Sequence, residues 1–371
     1  MPKFVCKEFE GGFCRVHCAH CRKDRLVAWS CRGRGFCPSC MGRRMAEVET
    51  HLCDEVVGST PLRQWVLTLP KPMRYLLAYN ASVTTAVLNI FINTISHWLK
   101  HKAKQALALP SARSAYPGSI TAIQRHGSAA DLNVHFHALV TDGGFVTDAS
   151  GRPIFRVLAP PAPIEIADLA WQICTKTIDY LRAHDLWLDA DDKLQQDEPL
   201  LAVCAQAAIN GRILFGSGNT SGRLKLLPPQ HTAPSVQTPG HGFNLHADTT
   251  AKANDTLARK RLTRYVVRPP IANERLELLA DDRVRLRLKR PYSDGTTHLL
   301  LDPLDFIARL VALVPPPRTH QLRFHGVYAP NHRLRAAVIP KLPIISPSKP
   351  APRLKRHTWA RLLKSTFGFD V

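Results

Sequence analysis

Between Leu132 and Val140 the sequence LNVHFHALV alternates, and that period of two constrains the fold more than any other stretch. Successive side chains on a strand point to opposite faces, so Leu132, Val134, Phe136, Ala138 and Val140 make one wholly apolar face. The other face carries Asn133, His135, His137 and Thr141, with Leu139. Such a strand buries one side against a core and presents two imidazoles on the other. Their Cα atoms lie about 6 to 7 Å apart, a separation that can converge on a single metal ion. A histidine pair alone is better explained as exposed polar residues on a half-buried strand, so its neighbours must decide. The preceding run Ser119 to Gly127 (SITAIQRHG), joined by a short polar turn, predicts a hairpin central in a sheet, and TDGG makes a further turn. Gln124 on that preceding strand and His246 are the candidates for a third ligand.

The rest of the chain reads as mixed helix and strand. Arg63 to Pro70 (RQWVLTLP) is a buried strand stopped by proline, and a long helix follows from about Arg74 to Leu107. Pro160 to Gln206 is helical with a Pro-rich entry, and 216–242 is turn-rich. A helix from Asn254 stops at Pro269 and Pro270. The charged run VRLRLKRPYSDG suggests an edge hairpin. The tail from Pro340 to Arg353 is Pro-rich and extended, with a short helix near Trp359 to Leu363. A chain of 371 residues exceeds one core. The expected units are a small module at 1–58, a larger domain at 59–275 with a helical and Pro/Gly-rich insertion at about 152–242, and a basic C-terminal region at 276–371.

Lysine and arginine outnumber acids 50 to 29, a net charge of +21, which points to a polyanionic partner, nucleic acid ahead of an anionic membrane surface. The most apolar stretch, Val83 to Leu99, is broken by Asn89, Asn93, Ser96 and His97, so it reads as an amphipathic helix rather than a membrane span. The start, MPKFVCKEFE, lacks the apolar core of a signal peptide, and a cytoplasmic protein with reduced cysteines is expected.

Eight of the ten cysteines fall between residues 6 and 53. Cys18 and Cys21, then Cys37 and Cys40, form two C-x-x-C pairs with fifteen residues between them, a strong signal for a tetrahedral structural Zn2+ site. Cys14, Cys31 and His17 lie near enough to replace one ligand. Four thiolates leave no open coordination position, and a segment this small needs the metal as its core. Arg43 and Arg44, among other basic residues nearby, make the module a DNA grip.

In RLTRYVVRPP, residues 261–270, Tyr265 sits at the seam of a helix. Arg261 and Arg268 share one side of it, Ala258 and Leu262 the other. Spacing alone describes a packing tyrosine. A phenol whose pKa is ordinarily near 10 needs nearby cations or a metal to act as a nucleophile, however, and Arg261, Arg264 and Arg268, which are also expected to contact DNA, are close by.

Together these residues resemble the rolling-circle insertion-sequence transposases of family ninety-one and their common-region relatives, of the HUH endonuclease class. The resemblance runs through nearly the whole chain: SCRGRGFCPSCMGRRMAE with HLCDEV, RQWVLTLP, QRHGSAADLNVHFHALVTDGGF, RYVVRPPIANERL, SDGTTHLLLDPLDFIARLVALVPPP, RFHGVYAPNHRLRAAVIP and TWARLLKSTFGFD. It implies an α+β fold, an HUH palm of antiparallel sheet with helices packed on it, preceded by a small zinc-ribbon-like module built on four cysteines. It also implies that His135 and His137 hold Mg2+ or Mn2+, and that Tyr265 attacks single-stranded DNA at the element ends to leave a 5′-phosphotyrosine. A bacterial, nucleoid-associated protein with no membrane or small-molecule partner follows. Two-tyrosine relatives have a second tyrosine one turn earlier, where this chain has Arg261, so it resembles the single-tyrosine branch. Relatives often continue past FGFDV into another cysteine pair, which implies a shorter subtype or a truncated copy. A replication initiator or relaxase shares the chemistry, but the CPSC module with RGF before it argues for the transposase. The alternative from another class is a zinc-dependent DNA-binding protein without catalysis.

Overall fold

The computed structural model describes residues 13–17, 24–28, 34–186, 196–210, 212, 214, 222–225 and 242–340. A hairpin of β1 (Phe13–His17) and β2 (Asp24–Ala28) precedes helix α1 (Pro38–His51). Pro38 opens α1, where a missing backbone donor costs nothing. The helix continues through a π-helical turn, Leu52–Val57, that ends at Gly58 with φ 53°. Strand β3 (Leu62–Thr68) follows, mostly buried. The single helix expected from Arg74 to Leu107 is two helices, α2 (Lys71–Tyr79) and α3 (Ala81–Ala106), bent by 118°. Asn80 makes the break: it leaves helical geometry at φ −107°, ψ 100°, and its side chain accepts from Val83 N to cap α3. No single helix among the described residues is long and apolar enough to cross a membrane.

Strands β4 (Gly118–His126) and β5 (Leu132–Thr141) form the expected hairpin, with Gln124 opposite His135. After it come the hairpin β6 (Gly143–Thr147)–β7 (Pro153–Val157), helices α4 (Pro163–Ala183) and α5 (Pro199–Asn210), and strands β8 (Gly222–Lys225), β9 (Asn244–His246) and β10 (Thr250–Ala251). Helix α6 (Thr256–Val266), strands β11 (Leu276–Leu278), β12 (Val284–Arg287) and β13 (Thr296–Leu301), helix α7 (Pro303–Leu313), strand β14 (Leu322–Gly326) and the short helix α8 (Arg335–Val338) follow. The architecture is α+β. Its central antiparallel sheet runs β10–β3–β5–β4–β14, with β9 also paired to β3. A second sheet runs β11–β12–β13–β8, so the VRLR run expected at an edge lies inside it. The flanking strand β11 has only three residues, too few to announce itself by alternation.

The apolar face of β5 is buried as its alternation requires. Phe136 stacks on Phe91 of α3 with centroids 6.3 Å apart, and the face shares one core with Ile166 and Ile173 of α4 and Leu310 of α7. The segments expected as an insertion and as a separate C-terminal region therefore both enter the main core. Residues beyond 275 also supply a strand of the central sheet, since β14 pairs with β4, Phe324 opposite Ile120. The opposite face of β5 is not open, as expected, but covered: Leu139 packs there with Leu52 and Val56 of the π-helical turn and with Leu262 and Val266 of α6. The expected tail past Pro340 and the helix near Trp359 lie outside the described residues.

Candidate active site

Helix α6 is held at its start by Asp255, whose side chain accepts from Ala258 N at 2.8 Å, and it ends before Pro269 and Pro270. Leu262 and Val266 point into the core, which leaves Tyr265 on the flank, 39% exposed. Its ring lies 5.4 Å, centroid to centroid, from that of His137 and nearly perpendicular to it, and His137 lies 4.9 Å from His135. The histidine pair and the tyrosine, singled out from distant parts of the sequence, are thus contiguous. The Arg268 guanidinium sits 3.8 Å above the Tyr265 ring. Burial pushes the pKa of Arg268 down from its usual value, and Tyr265 acts in the opposite sense.

Both imidazoles are desolvated, with 8% of His135 and 2% of His137 exposed. Burial pushes His135 down to about 4 and His137 well below its usual value, and Arg268 adds to the effect at both. Each ring is therefore neutral near pH 7. His135 Nδ1–H donates to Asn133 O at 2.8 Å, which leaves Nε2 with its lone pair. His137 Nδ1 lies 3.0 Å from the Gln64 amide, and its Nε2 is buried without a hydrogen-bond partner. Gln64 on β3 was not singled out from sequence, since an amide carries neither charge nor a spacing that marks it.

Of the candidate third ligands, Gln124 is brought close and His246 is not. His246 is exposed on β9 opposite Val66, which faces His137 across its other edge, so two strand spacings, about 10 Å, separate the histidines. Gln124 lies beside His135 and donates to Tyr265 O at 3.1 Å and Val266 O at 2.9 Å, tying down the end of α6. Among the described residues no group of three or more His, Cys, Asp or Glu could hold a metal ion. Tyr328 is fully buried, and burial raises its pKa, so it is no rival to Tyr265.

The basic residues divide. Arg261 and Arg44 are exposed, and Arg43, also exposed, pairs with Glu47 at 3.1 Å. Arg264, expected on the DNA face, instead meets the buried Glu49 of α1 at 2.6 Å and ties the N-terminal helix to α6. Cys37 caps α1 and Cys40 lies in its first turn, so the second cysteine pair opens a helix rather than a ribbon hairpin. Cys18 and Cys21, which lie between β1 and β2 in sequence, and Cys31, which follows β2, are outside the described residues; the backbone of Cys14 and His17 lies on β1.

The family model described as "Putative transposase" matches residues 118–335, more than half of the chain, and the transposase zinc-binding domain of insertion-sequence family ninety-one matches residues 4–69. The first match spans His135, His137 and Tyr265, and the second spans all four cysteines of the two C-x-x-C pairs. No curated protein and no solved structure matches the chain.

Proposed function

The chain belongs to the insertion-sequence family ninety-one transposases, and on that premise we propose that it nicks and rejoins single-stranded DNA with Tyr265 as the nucleophile. One observation carries the reading: a half-exposed phenol lies 5.4 Å from one of two adjacent, neutral imidazoles, under a guanidinium. In this reading the central sheet is an HUH palm, and Cys18, Cys21, Cys37 and Cys40 hold the zinc of the module in front of it.

The donor set fits a divalent cation, because His135 has a lone pair left at Nε2 and the buried His137 Nε2 lacks a partner. Gln64 Nε2 faces His137 Nδ1, so ligation by His137 Nε2 requires the Gln64 amide to turn and accept from Nδ1–H through its oxygen. His135 and His137 would hold Mn2+ or Mg2+, which when bound polarises the scissile phosphate and offsets charge on its oxygens. Arg268 holds the phenol ring in place and stabilises negative charge developing on its oxygen.

Tyr265 Oη forms a bond to phosphorus as the bond to the 3′ oxygen breaks. The phenolic proton passes to solvent, and the departing oxygen takes one up to become a 3′-hydroxyl. The phosphodiester is kept as a 5′-phosphotyrosine, so a second 3′-hydroxyl can reverse the step without ATP. Arg261, exposed one turn before Tyr265, and the exposed Arg43 and Arg44 of α1 would meet strand phosphates in this reading.

An end-labelled single strand from the DNA flanking the chain's own coding sequence, incubated with zinc-loaded protein and manganese, should give a covalent protein–DNA adduct. Tyr265→Phe should give none. Binding without an adduct in the unaltered protein overturns the reading, and an adduct that persists in Tyr265→Phe moves the nucleophile elsewhere.

A further inference from the structure

A cleft of about 120 Å3 opens where α6 ends, between strand β4 and helix α1. Gln124 and His126 of β4 line it, the chain from Val266 to Arg268 forms one wall, and Arg44 and Val48 of α1 face them. Neither His135, His137 nor Tyr265 lines it, so it is separate from the nucleophile but begins one residue beyond it.

Three buried polar atoms of this lining have no hydrogen-bond partner: Gln124 Oε1, His126 Nδ1 and Arg268 Nε. Gln124 and His126 are only 4% and 7% exposed. An unpartnered buried polar atom is costly, and residues lining this one cleft carry three of them, which a ligand there would satisfy. Their chemistry is set from behind. The Gln124 NH2 is committed to the carbonyls of Tyr265 and Val266, so the amide cannot turn and its oxygen is the end left over. His126 Nε2–H donates to Arg268 O at 3.3 Å, which puts a lone pair on Nδ1. The cleft thus offers two fixed acceptors, with Arg268 Nε–H as a donor.

We propose that this cleft holds one base of the single strand, next to the phosphate that Tyr265 attacks, and selects a base that presents hydrogen-bond donors, guanine first. The inference rests on the reading of Tyr265 as a DNA nucleophile. The space is far below the about 300–1,000 Å3 of a drug-sized ligand site, and suits one planar ring system. Guanine alone offers two adjacent donors, N1–H and N2–H2, with acceptors O6 and N7 on its other edges for Arg268 or Arg44. Adenine and cytosine offer an amino group; thymine has a single N–H between two carbonyls and leaves an acceptor unmet. Gln124 is therefore a specificity residue, and its oxygen is not spent on the metal.

The test titrates the zinc-loaded full chain, by fluorescence anisotropy, with dT strands of roughly 12 nucleotides carrying one central dG, dA, dC or no substitution. The dG strand should bind about tenfold tighter than all-dT, with dA and dC between. Gln124→Leu and His126→Phe should shrink that ratio to within about twofold. Val48→Trp, which fills the cleft from α1 and keeps both Gln124 and His126, should do the same. Equal affinity of the unaltered protein for all four strands, or a preference that survives both Gln124→Leu and Val48→Trp, overturns the proposal. Adducts on the strand flanking the coding sequence, with manganese, are read in parallel. An adduct without base preference sinks the cleft and leaves Tyr265 standing; preference without an adduct does the reverse.

Discussion

On one face of β5, Leu132, Val134, Phe136, Ala138 and Val140 are each at most 2% exposed and belong to a single apolar core. On the other, His135 and His137 are nearly as buried, yet His137 Nε2 has no partner there, nor has Gln124 Oε1 on the neighbouring strand. The same backbone therefore carries one face that stabilises the fold and one that draws on that stability. Polar atoms left unmatched away from water cost free energy, and they persist because the first face over-determines the strand. The tyrosine helix is packed on the costly side, which is where chemistry needs preorganised, desolvated groups.

The comparison is broken most directly at Phe136. Phe136→Ala removes a fully buried ring stacked on Phe91 and should cost about 3–5 kcal/mol, read as the shift in a urea unfolding curve. A loss below about 1 kcal/mol would mean that the apolar face does not hold the strand. A somewhat smaller loss is expected on the other side. Arg264→Ala leaves Glu49, 2% exposed, as an uncompensated carboxylate between α1 and α6. Arg264 itself is 32% exposed, so the cost should lie near about 3 kcal/mol, the low end for breaking a buried pair. Glu49→Gln in the Arg264→Ala background should restore part of it, and no restoration would exclude the ion pair as the cause.

The first face was readable from sequence, because a strand forces alternation into the side chains that meet a core. The second was readable only where its residues bear chemistry that stands out: two imidazoles two apart, and a tyrosine among arginines. What supports them was hidden. Gln64 is an ordinary amide until β3 flanks β5, Gln124 stood out as a candidate ligand but not as the tie on the end of α6, and Arg264 meets Glu49 across 215 residues of sequence. The break at Asn80 was masked because the apolar pattern continues straight through it. The cover over the histidines was missed for a similar reason: alternation reports which residues share a face, not what another part of the chain lays upon it.

Acidity sharpens the comparison. His135 titrates at about 4 in the folded chain against about 6.5 unfolded, and His126 and His137 are shifted the same way, all chiefly by burial. Above pH 7 both states are neutral and the groups add no pH dependence. As pH falls below 6.5 the unfolded chain takes up protons that the folded chain refuses, so stability declines towards pH 4. His135→Leu removes one such group. Its advantage over the unaltered protein, without added manganese, should therefore grow between pH 6.5 and 4, by at most roughly 1.4 kcal/mol per pH unit. Phe136→Ala should run parallel to the unaltered protein throughout. If His135→Leu also runs parallel, the imidazole is not desolvated and the contrast between the faces is weaker than its burial implies.

The smallest effect on stability belongs to residues that neither face holds. Arg261 is exposed, and Arg261→Ala should change folding by under about 0.5 kcal/mol. Its loss should be felt in binding instead. A phosphate contact to a single strand adds about 0.7 to the slope of log affinity against log salt, so Arg261→Ala should make that slope shallower by about this amount, equally for every strand sequence. An unchanged slope would place the strand elsewhere than along the flank of α6. A change that depended on the base present would move Arg261 from backbone contact to base reading, the role proposed for the cleft beyond Tyr265.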